Sequence, residues 1–361
     1  MKICYIFSNF HLLHITGQPD IVFKLVSQAH KRGEEVYLIS NAPEQEQLYQ
    51  GGINLFLIRG LGDFKTYFLN IFKIIKYLRD VKPDIIHVHG YLLTIFVWII
   101  NRFFHIPLVC SVCETLDILN SFYKNLIIFC FNHSELTFVT SECIKNHLIE
   151  NGVSTDKIVI ARIGLDGKFL KGGEKFLPAT DILYYGDAMR GRGFDFIIRL
   201  AQNLPKFNFK ILIRWRDKNY DIELEKLKKL SNVAIYYYPH YPEDLKSIIL
   251  KSKLVILPYR WMGVRPPLSL VESMALGRCV ITSAMKGNEE IIKNWHNGII
   301  VDFNKLDEVI SNIHYLLSDE QKRKYIETQA KETIKAIYSH KEYDMIFQFY
   351  NKILTYSNRN G

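Results

Sequence analysis

Hydrophobic and polar positions along the first half of the chain alternate in the order strand, helix, strand. The apolar run KICYIFS at 2–8 is followed over 20–32 by apolar residues spaced every three to four positions, and Gly33 ends this segment before the run EVYLIS at 35–40. That spacing marks one face of a helix, whereas short continuous apolar runs are typical of strands buried on both sides. Further strand-length runs follow at 53–59, 84–90, 107–113, 136–141 and 157–164. The pattern predicts a doubly wound parallel sheet with helices on both faces.

The same alternation starts again in the second half of the chain, after a break. Residues 165–180 are rich in Gly and Lys without periodicity, which is typical of a linker. Strand-length runs then lie at 181–186, 209–215, 233–239, 253–259, 278–283 and 298–302, with helical patterns at 194–203, 221–230, 243–250 and 268–276. We predict an α/β protein of two Rossmann-like, doubly wound domains that face each other across a cleft. The expected parts are domains at 1–165 and 181–335, a linker at 166–180, and a C-terminal helix at 336–361 that packs back toward the first domain.

The net charge of the chain indicates which classes of binding partner to expect. The chain has 361 residues, and its 46 Lys and Arg against 37 Asp and Glu give a net charge of +9. This excess favours anionic partners such as sugar nucleotides or phospholipid surfaces, although a solvated lysine-rich surface explains it equally well. Nucleic-acid binding is not expected, because the sequence has no basic stripe with interleaved aromatic residues.

Three apolar stretches bear on membrane contact. The run YLLTIFVWII at 91–100 is followed by Asn101 and Arg102, so it is shorter than the roughly 20 residues needed to span a bilayer. The segments at 68–78 and 121–131 combine apolar positions with lysines, so they could lie on a membrane surface or pack as helices with the lysines outward. The N-terminal run is typical of a strand rather than a signal peptide. We therefore expect a cytoplasmic protein, and peripheral association with the inner face of the membrane stays open.

Two loops that follow predicted strands contain glycine near a helix start. In the segment YYGDAMRGRGF at 184–194, Gly186 is followed by Arg190 and Arg192 immediately before a helix. Free N–H groups at a helix start and nearby guanidinium groups suit a diphosphate, although an ordinary turn with solvated arginines would look the same. The loop at 11–20 contains Gly17 but lacks the three-glycine dinucleotide fingerprint, so NAD binding is not supported and no cofactor is expected.

The segment RPPLSLVESMALGRCVI at 265–281 predicts a helix start that binds a ligand. Proline suits the first helical turn because its missing N–H is not needed there, so the N–H groups of Leu268 and Ser269 can point at a phosphate. Glu272 lies one turn further along and can accept hydrogen bonds from ribose hydroxyls, although it could also do no more than face the helix dipole. Lys286, after the next predicted strand, is expected near the same site.

The motifs and their order along the chain resemble those of GT-B glycosyltransferases, specifically the large retaining glycosyltransferase family 4. YYGDAMRGRG resembles the family's V-x-G-R-x-x-x-x-K-G, and VRPPLSLVESMALGRCVI resembles its E-G-F-G-L-x-x-x-E-A-M-A-x-G-x-P-V-I. DIIHVHG, SECIKNHL, GLDGKFL and NGIIVD resemble further family segments. The resemblance implies a retaining, metal-independent hexosyltransferase that moves a sugar from a nucleotide sugar to a glycan or lipid-linked acceptor, in the synthesis of cell-surface polysaccharide, glycolipid or glycoprotein glycan.

The resemblance and the loop chemistry together imply site residues, and the sequence departs from the family at three positions. The implied donor-binding residues are Gly186, Arg190, Arg192, Leu268, Ser269, Glu272 and Lys286, of which Arg190, Arg192 and Glu272 would serve catalysis. The implied acceptor side consists of Gly17, His89, Cys113 and Glu114. The family's first active-site glutamate falls at Val264, its first basic residue at Asp187 and its histidine at Cys113. Arg190 could substitute for the basic residue missing at Asp187.

Two other functions stay open beside sugar transfer. The three departures would also fit a catalytically impaired or non-catalytic GT-B relative that binds a sugar nucleotide or a protein partner. A GT-B sugar-nucleotide epimerase is the other alternative, and it would need acids such as Glu114 or Glu290 in the cleft. His87 and His89 lie two positions apart and so on one face of a strand, and we expect them to be packing and cleft residues rather than metal ligands.

Overall fold

The computed structural model describes residues 1–7, 18–41, 52–58, 61, 67–163, 165–171, 176–261, 266–338 and 341–360. The chain divides into two compact units, Met1–Gly164 with His340–Gly361, and Leu165–Ser339. Each unit has a parallel sheet of its own. The predicted α/β architecture of two Rossmann-like domains is therefore confirmed.

Over the described residues, the first unit is built on a parallel sheet of seven strands. Its strands are β1 (Lys2–Phe7), β2 (Glu35–Ser40), β3 (Asn54–Leu57), β4 (Ile85–His89), β5 (Leu108–Val112), β6 (Leu136–Val139) and β7 (Ile158–Ile160). Its helices are α1 (Gln18–Lys31), α2 (Tyr67–Val81), α3 (Tyr91–Asn101), α4 (Ser121–Asn132), α5 (Glu142–Glu150) and, from the end of the chain, α14 (Lys341–Asn360). The strand order is β3-β2-β1-β4-β5-β6-β7. The continuous apolar runs form strands because helices cover both faces of such a sheet.

In the part of the chain that the structure describes, the second unit has a parallel sheet of six strands. Its strands are β8 (Thr180–Ala188), β9 (Phe209–Arg216), β10 (Val233–Tyr237), β11 (Ser252–Leu257), β12 (Cys279–Ser283) and β13 (Ile299–Val301). Its helices are α6 (Gly167–Leu170), α7 (Phe194–Asn203), α8 (Asp221–Lys228), α9 (Leu245–Leu250), α10 (Leu268–Ala275), α11 (Asn288–Ile291), α12 (Leu306–Ser318) and α13 (Glu320–Ile337). The strand order is β10-β9-β8-β11-β12-β13, with β8 at the centre.

The ends of the second unit differ from the sequence-based expectation. Within the expected linker at 166–180, α6 forms and Phe169 is buried in the apolar core of the second unit. Of the C-terminal helix expected at 336–361, residues 336 and 337 end α13 of the second unit, and α14 belongs to the first unit. A single helical turn such as α6 is too short to give a recognisable periodic pattern, which explains why the sequence reads as a linker there.

Helix α14 completes the core of the first unit. Tyr350 is fully buried, and its hydroxyl hydrogen-bonds to Nδ1 of His87 on β4. The other ring nitrogen, Nε2, hydrogen-bonds to Oγ of Ser111 at 2.6 Å. Burial lowers the pKa of His87, and the neighbouring His89 lowers it further. His87 is therefore a neutral packing residue that ties β4 to β5 and to the end of the chain.

None of the helices in the described part of the chain is long and apolar enough to cross a bilayer. The apolar run at 91–100 forms α3, whose residues Leu93, Ile95 and Val97 are buried in the first unit. The high hydrophobicity of this segment therefore reflects its place in a core.

Candidate functional site

In the second sheet, the order in which the chain adds strands reverses between β8 and β11. From β8 the chain proceeds outward to β9 and β10, and it then returns to the other side of β8 as β11 before continuing to β12 and β13. The connections after β8 and β11 therefore run in opposite directions from the carboxyl edge of the sheet, and ligands of open parallel sheets bind in the crevice at such a point. The loop after β8 and the start of α10 both lie at this edge.

The loops after β8 and β11 are held against each other. Gly193 has a positive φ of 67°, and a Cβ at this residue would lie 1.8 Å from the carbonyl oxygen of Pro258. The carbonyl of Gly191 accepts hydrogen bonds from the N–H groups of Arg260 at 3.0 Å and Trp261 at 2.9 Å. Arg260 also donates to both carboxylate oxygens of Asp195, at 2.8 and 2.7 Å. The separation of the two loops is therefore fixed, and only glycine fits where they approach most closely.

A buried acid with two arginines lies at the end of β8. The register between β8 and β9 shifts next to Asp187, whose side chain is fully buried. Arg214, on β9, donates from Nε at 3.2 Å and Nη2 at 3.1 Å to Oδ1 of Asp187, and from Nη2 at 3.1 Å to Oδ2. Arg192 donates from Nη2 to Oδ2 at 3.4 Å. Two guanidinium groups thus compensate the burial of one carboxylate, which in turn fixes their orientation.

Arg192 connects this cluster to the start of α10. Its guanidinium carbon lies 5.8 Å from the ring centroid of Tyr259, in the loop after β11. The Tyr259 hydroxyl hydrogen-bonds to the hydroxyl of Ser269 in the first turn of α10. Burial raises the pKa of Tyr259 to about 12, with Arg192 acting in the opposite direction, so the phenol is neutral near pH 7.

The start of α10 presents backbone N–H groups. Pro267 is the N-cap residue and provides no side-chain hydrogen bond to the helix. The first N–H groups of any helix lack partners within that helix, and the hydrogen bonds of the described residues include none from the N–H groups of Leu268 and Ser269. Positive partial charge at the helix start adds to that of the arginines.

Glu272 lies one turn further along α10, half-buried beside Tyr185 of β8. The Tyr185 hydroxyl contacts the carbonyl of Ser269 at 2.5 Å and Oγ of Ser273 at 2.9 Å, and it lies 3.5 Å from Oε2 of Glu272. Burial raises the pKa of Tyr185 well above its usual value, and the charge of Glu272 raises it further. The long contact to Glu272 shows that Tyr185 is held mainly by the serines.

The other predicted donor residues lie around this edge. Gly186 is in β8 one residue before the buried acid, whereas Arg190 and Lys286 are exposed. Arg190 shares a short 3-10 turn with Arg192 and acts electrostatically on Tyr220, whose pKa is raised mainly by burial. Donor contacts from Arg190 and Lys286 stay predictions. Val264 lies outside the described residues.

A small pocket lies at the carboxyl ends of β4, β5 and β6 in the first unit. It brings together two residues predicted for the acceptor side, His89 and Cys113, with Ser111 and Thr140. His89 is buried, and its Nε2 has no hydrogen-bond partner among the described residues. Burial lowers its pKa to about 3, so it is neutral near pH 7. Gly17, the remaining glycine predicted for this side, lies outside the described residues.

Glu114 follows the pocket residue Cys113 and is almost fully buried. Burial raises the pKa of its carboxyl group to about 7. The carboxyl group can therefore gain or lose a proton near neutral pH, which is a property of general acids and bases. No group of three His, Cys, Asp or Glu side chains that could hold a metal ion occurs among the described residues.

Sequence reasoning missed three residues of the site in the second unit. Arg214 ends an apolar strand run, and a charged residue at the carboxyl end of a central strand is a signal that could have pointed to it. Tyr259 and Tyr185 read as strand residues, so their hydroxyl contacts to α10 had no signal in the sequence.

Two family models match the chain along most of its length. The model described as Glycosyltransferase Family 4 matches residues 15–168, and the model described as Glycosyl transferases group 1 matches residues 170–333. The chain belongs to the family 4 glycosyltransferases. The resemblance drawn from the sequence motifs is thereby confirmed.

This family 4 chain is similar in sequence to one set of proteins and in fold to another. An uncharacterized glycosyltransferase of Methanocaldococcus jannaschii is 28% identical over 233 residues, which are 60% of this chain and 59% of that protein, so the match spans somewhat more than half of the relative. A glycosyltransferase from Rickettsia africae superimposes with a TM-score of 0.79 at 15% identity, over 98% of both chains. Anabaena HepE in complex with UDP-glucose gives 0.78 at 14% identity, over 99% of this chain and 100% of that chain. At these identities the structures show the GT-B fold alone.

Proposed function

We propose that this family 4 chain is a retaining glycosyltransferase whose second unit binds a nucleoside-diphosphate sugar. The observation that carries the proposal is the order of groups along one edge of the second sheet. The guanidinium group of Arg192 and the N–H groups at the start of α10 lie at this edge, and the Glu272 carboxylate lies one turn further along α10. Cations and N–H donors suit a diphosphate, whereas a carboxylate suits the hydroxyls of the adjoining ribose. HepE, which binds UDP-glucose, shares the fold.

The proposed chemistry needs stabilisation of a leaving group. The bond between the anomeric carbon and the diphosphate oxygen breaks through an oxocarbenium-like state, and the nucleoside diphosphate leaves with growing negative charge. Arg192 and the N–H groups of Leu268 and Ser269 would stabilise that charge electrostatically, so the proposed reaction requires no metal ion. The acceptor hydroxyl attacks from the face that the diphosphate leaves, and its proton passes to a diphosphate oxygen.

A nucleotide screen followed by a donor-hydrolysis assay tests this function. Thermal shifts with UDP, GDP, ADP and TDP identify the nucleotide, because a ligand that binds only the folded state raises its stability. The matching nucleotide sugar should then be hydrolysed slowly in the absence of acceptor, with the released sugar first formed in the retained anomeric configuration. Binding without any turnover would instead support the non-catalytic alternative, and interconversion of two sugar nucleotides would support an epimerase.

We further propose that the acceptor is lipid-linked and that the first unit contacts a membrane surface. The support is an exposed apolar and basic face on α3 and α4, which we call the α3–α4 face. Trp98 packs against Phe129 with ring centroids 5.2 Å apart, and Arg102 lies 5.5 Å from the Trp98 ring. Ile99, near the end of α3, is 49% exposed, and Phe103, just beyond that end, is 76% exposed. Aromatic rings with adjacent cations suit the interface of an anionic bilayer.

Vesicle flotation tests the α3–α4 face. The protein should float with vesicles that contain anionic phospholipid and stay in the soluble fraction with neutral vesicles. Ile99→Ser should reduce flotation, whereas Ile222→Ser, which changes an isoleucine of the second unit that is 69% exposed, should leave it unchanged. Equal flotation of both variants and the original protein would contradict the assignment of this face.

A further inference from the structure

The pocket of the first unit, which we call the β4–β6 pocket, is uncharged over the residues that the structure describes. Its described lining contains no Asp, Glu, Lys or Arg, and apolar side chains such as Phe138, Val139 and Ile163 form most of it. Ser111 and His89 are among its polar residues, and the pKa of His89 is low enough to keep the ring neutral. A phosphate or carboxylate would lose its hydration here without meeting an opposite charge. The pocket therefore suits an uncharged group.

Ser111 is the outer end of a chain of hydrogen bonds that begins in the C-terminal helix. The hydroxyl of Tyr350, on α14, bonds to Nδ1 of His87, and Nε2 of His87 bonds to Oγ of Ser111 at 2.6 Å. Tyr350 and His87 are fully buried, whereas Ser111 is 8% exposed and lines the pocket. The chain therefore connects α14 to the pocket through two side chains that solvent does not reach.

The number of protons sets the direction of this chain. Burial keeps the pKa of His87 well below its usual value, so the ring is neutral and carries a single N–H. The neighbouring phenol, Tyr5, is fully buried as well, and its hydroxyl has no hydrogen-bond partner among the described residues. Nδ1 of His87 is thus the acceptor that the structure offers to the Tyr350 proton, and the reverse direction would leave that buried proton unpaired. Tyr350 donates to Nδ1, and the N–H on Nε2 donates to Ser111.

Ser111 consequently keeps its own proton for a group in the pocket. No further hydrogen bond of its hydroxyl occurs in the described part of the chain. His89 is the register partner of Ser111 across β4 and β5, and its Nε2 also lacks a partner among the described residues. A hydroxyl group has two lone pairs and one proton, so it can pair with both side chains in either tautomer of His89.

We propose that the β4–β6 pocket binds one hydroxyl group of an acceptor sugar, to which Ser111 donates a hydrogen bond. His87 and Tyr350 are positioning residues that set the direction of this proton. The C-terminal helix α14 thereby takes part in acceptor binding through Ser111. The inference rests on the proposed sugar transfer.

Replacement of Ser111 gives the first test. The acceptors are the octyl glycosides of glucose, galactose and N-acetylglucosamine, and the donor is the nucleotide sugar found in the nucleotide screen. Ser111→Ala should raise the KM for the best of these acceptors about 3- to 10-fold, as expected for one neutral hydrogen bond, and should change the KM for the donor less. Ser134→Ala is the matched control, because Ser134 is a buried serine of the same unit whose hydroxyl donates to the Cys130 carbonyl at 2.7 Å, outside the pocket. It should change neither KM.

Removal of the far hydroxyl gives the second test. Tyr350→Phe keeps the buried ring but leaves Nδ1 of His87 without a donor, so the direction of the Ser111 proton is no longer fixed. The acceptor KM should rise about 2- to 5-fold. Addition of Tyr350→Phe to Ser111→Ala should raise it no further, because Tyr350 acts only through Ser111. A purely structural role of Tyr350 would lower the Tm and leave the acceptor KM unchanged.

Nitrogen NMR of histidine-labelled protein tests the direction of the chain without any ligand. The signals of His87 are identified as those that shift most in both Ser111→Ala and Tyr350→Phe. They should show the proton on Nε2 and a bare Nδ1. A proton on Nδ1 would overturn the positioning role.

The kinetic outcomes separate this inference from the function on which it rests. A protein that binds no nucleotide and transfers no sugar would overturn both. Transfer to water but to none of the glycosides would overturn the acceptor role of the pocket and leave the donor function intact. Equal acceptor KM in Ser111→Ala and the original protein would show that the pocket holds water only, and would overturn the inference. Additive effects of Ser111→Ala and Tyr350→Phe would overturn the positioning role of Tyr350.

Discussion

Glu272→Gln separates a ligand-binding role of the α10 start from a structural one. The substitution retains the size of the side chain and removes its charge. Structurally, the described contact to Tyr185 is long, at 3.5 Å, and Tyr185 keeps its shorter hydrogen bonds to Ser269 and Ser273. Glu272 is also the fifth residue of α10, beyond the first turn in which the helix dipole acts. We therefore expect the loss of this contact and of the dipole interaction to lower the free energy of unfolding by less than about 1 kcal/mol.

The expected loss in binding is larger than the loss in stability. If ribose hydroxyls donate to this carboxylate, the neutral amide should weaken nucleoside-diphosphate affinity by about 1–3 kcal/mol, or roughly 5- to 150-fold. Differential scanning fluorimetry gives the Tm, and calorimetry gives the Kd, on the same preparation. Glu308→Gln, in the first turn of α12, controls for the effect of a helix-terminal charge. A lower Tm together with an unchanged Kd would refute the ligand-binding role.

Three further predictions follow from the charges of the two units. Arg192→Ala should weaken diphosphate binding about 10- to 100-fold. Arg190→Ala should weaken it as well where Arg190 substitutes for the basic residue missing at position 187, and equal diphosphate affinity of the original protein and the double variant would contradict both roles. EDTA should leave the rate of sugar transfer unchanged, and a rate that vanishes with EDTA and returns with Mn²⁺ would contradict the metal-free mechanism. Burial raises the pKa of Glu114 from 4.5 to about 7, so the folded protein holds this proton more tightly than the unfolded chain does. The free energy of unfolding should therefore be about 3 kcal/mol larger below pH 4.5 than above pH 7, and this contribution is lost as the pH rises from 4.5 through 7. Glu114→Gln should therefore gain Tm relative to the original protein between pH 4.5 and 7, and a constant difference in Tm would contradict the buried carboxyl.

The sequence predicted the strands well because each is a continuous apolar run between polar loops. The runs at 2–8, 84–90 and 253–259 could be assigned without tertiary information, since strands covered on both faces need apolar residues at every position. The helix start at Leu268 was also predictable, because two prolines precede an apolar helical pattern. These assignments depend on local sequence signals, so they could be made without the structure.

The charge cluster of the second unit could not be predicted in the same way. From the sequence, we interpreted Asp187 as the loss of a phosphate ligand. Its contact with Arg214 could not be predicted, because it joins two strands that are separated by a helix in the sequence. The register shift between Gly186 and Ala188, which sets where the buried carboxylate lies, has no signature in residue type alone. Long-range pairing of this kind is a property of the sheet, and only the structure contains it.

The division of the chain into units has a consequence for synthesis on the ribosome. The second unit is one uninterrupted stretch, whereas the first needs residues from both ends of the chain. At roughly 5–20 residues per second, α14 emerges on the order of tens of seconds after β7. During that interval the places taken by Tyr350 against His87 and by Phe349 against Phe138 stay uncovered. Residues 165–339 should therefore fold as an excised fragment, and residues 1–164 should need the last helix, supplied in the same chain or as a separate peptide, to do so.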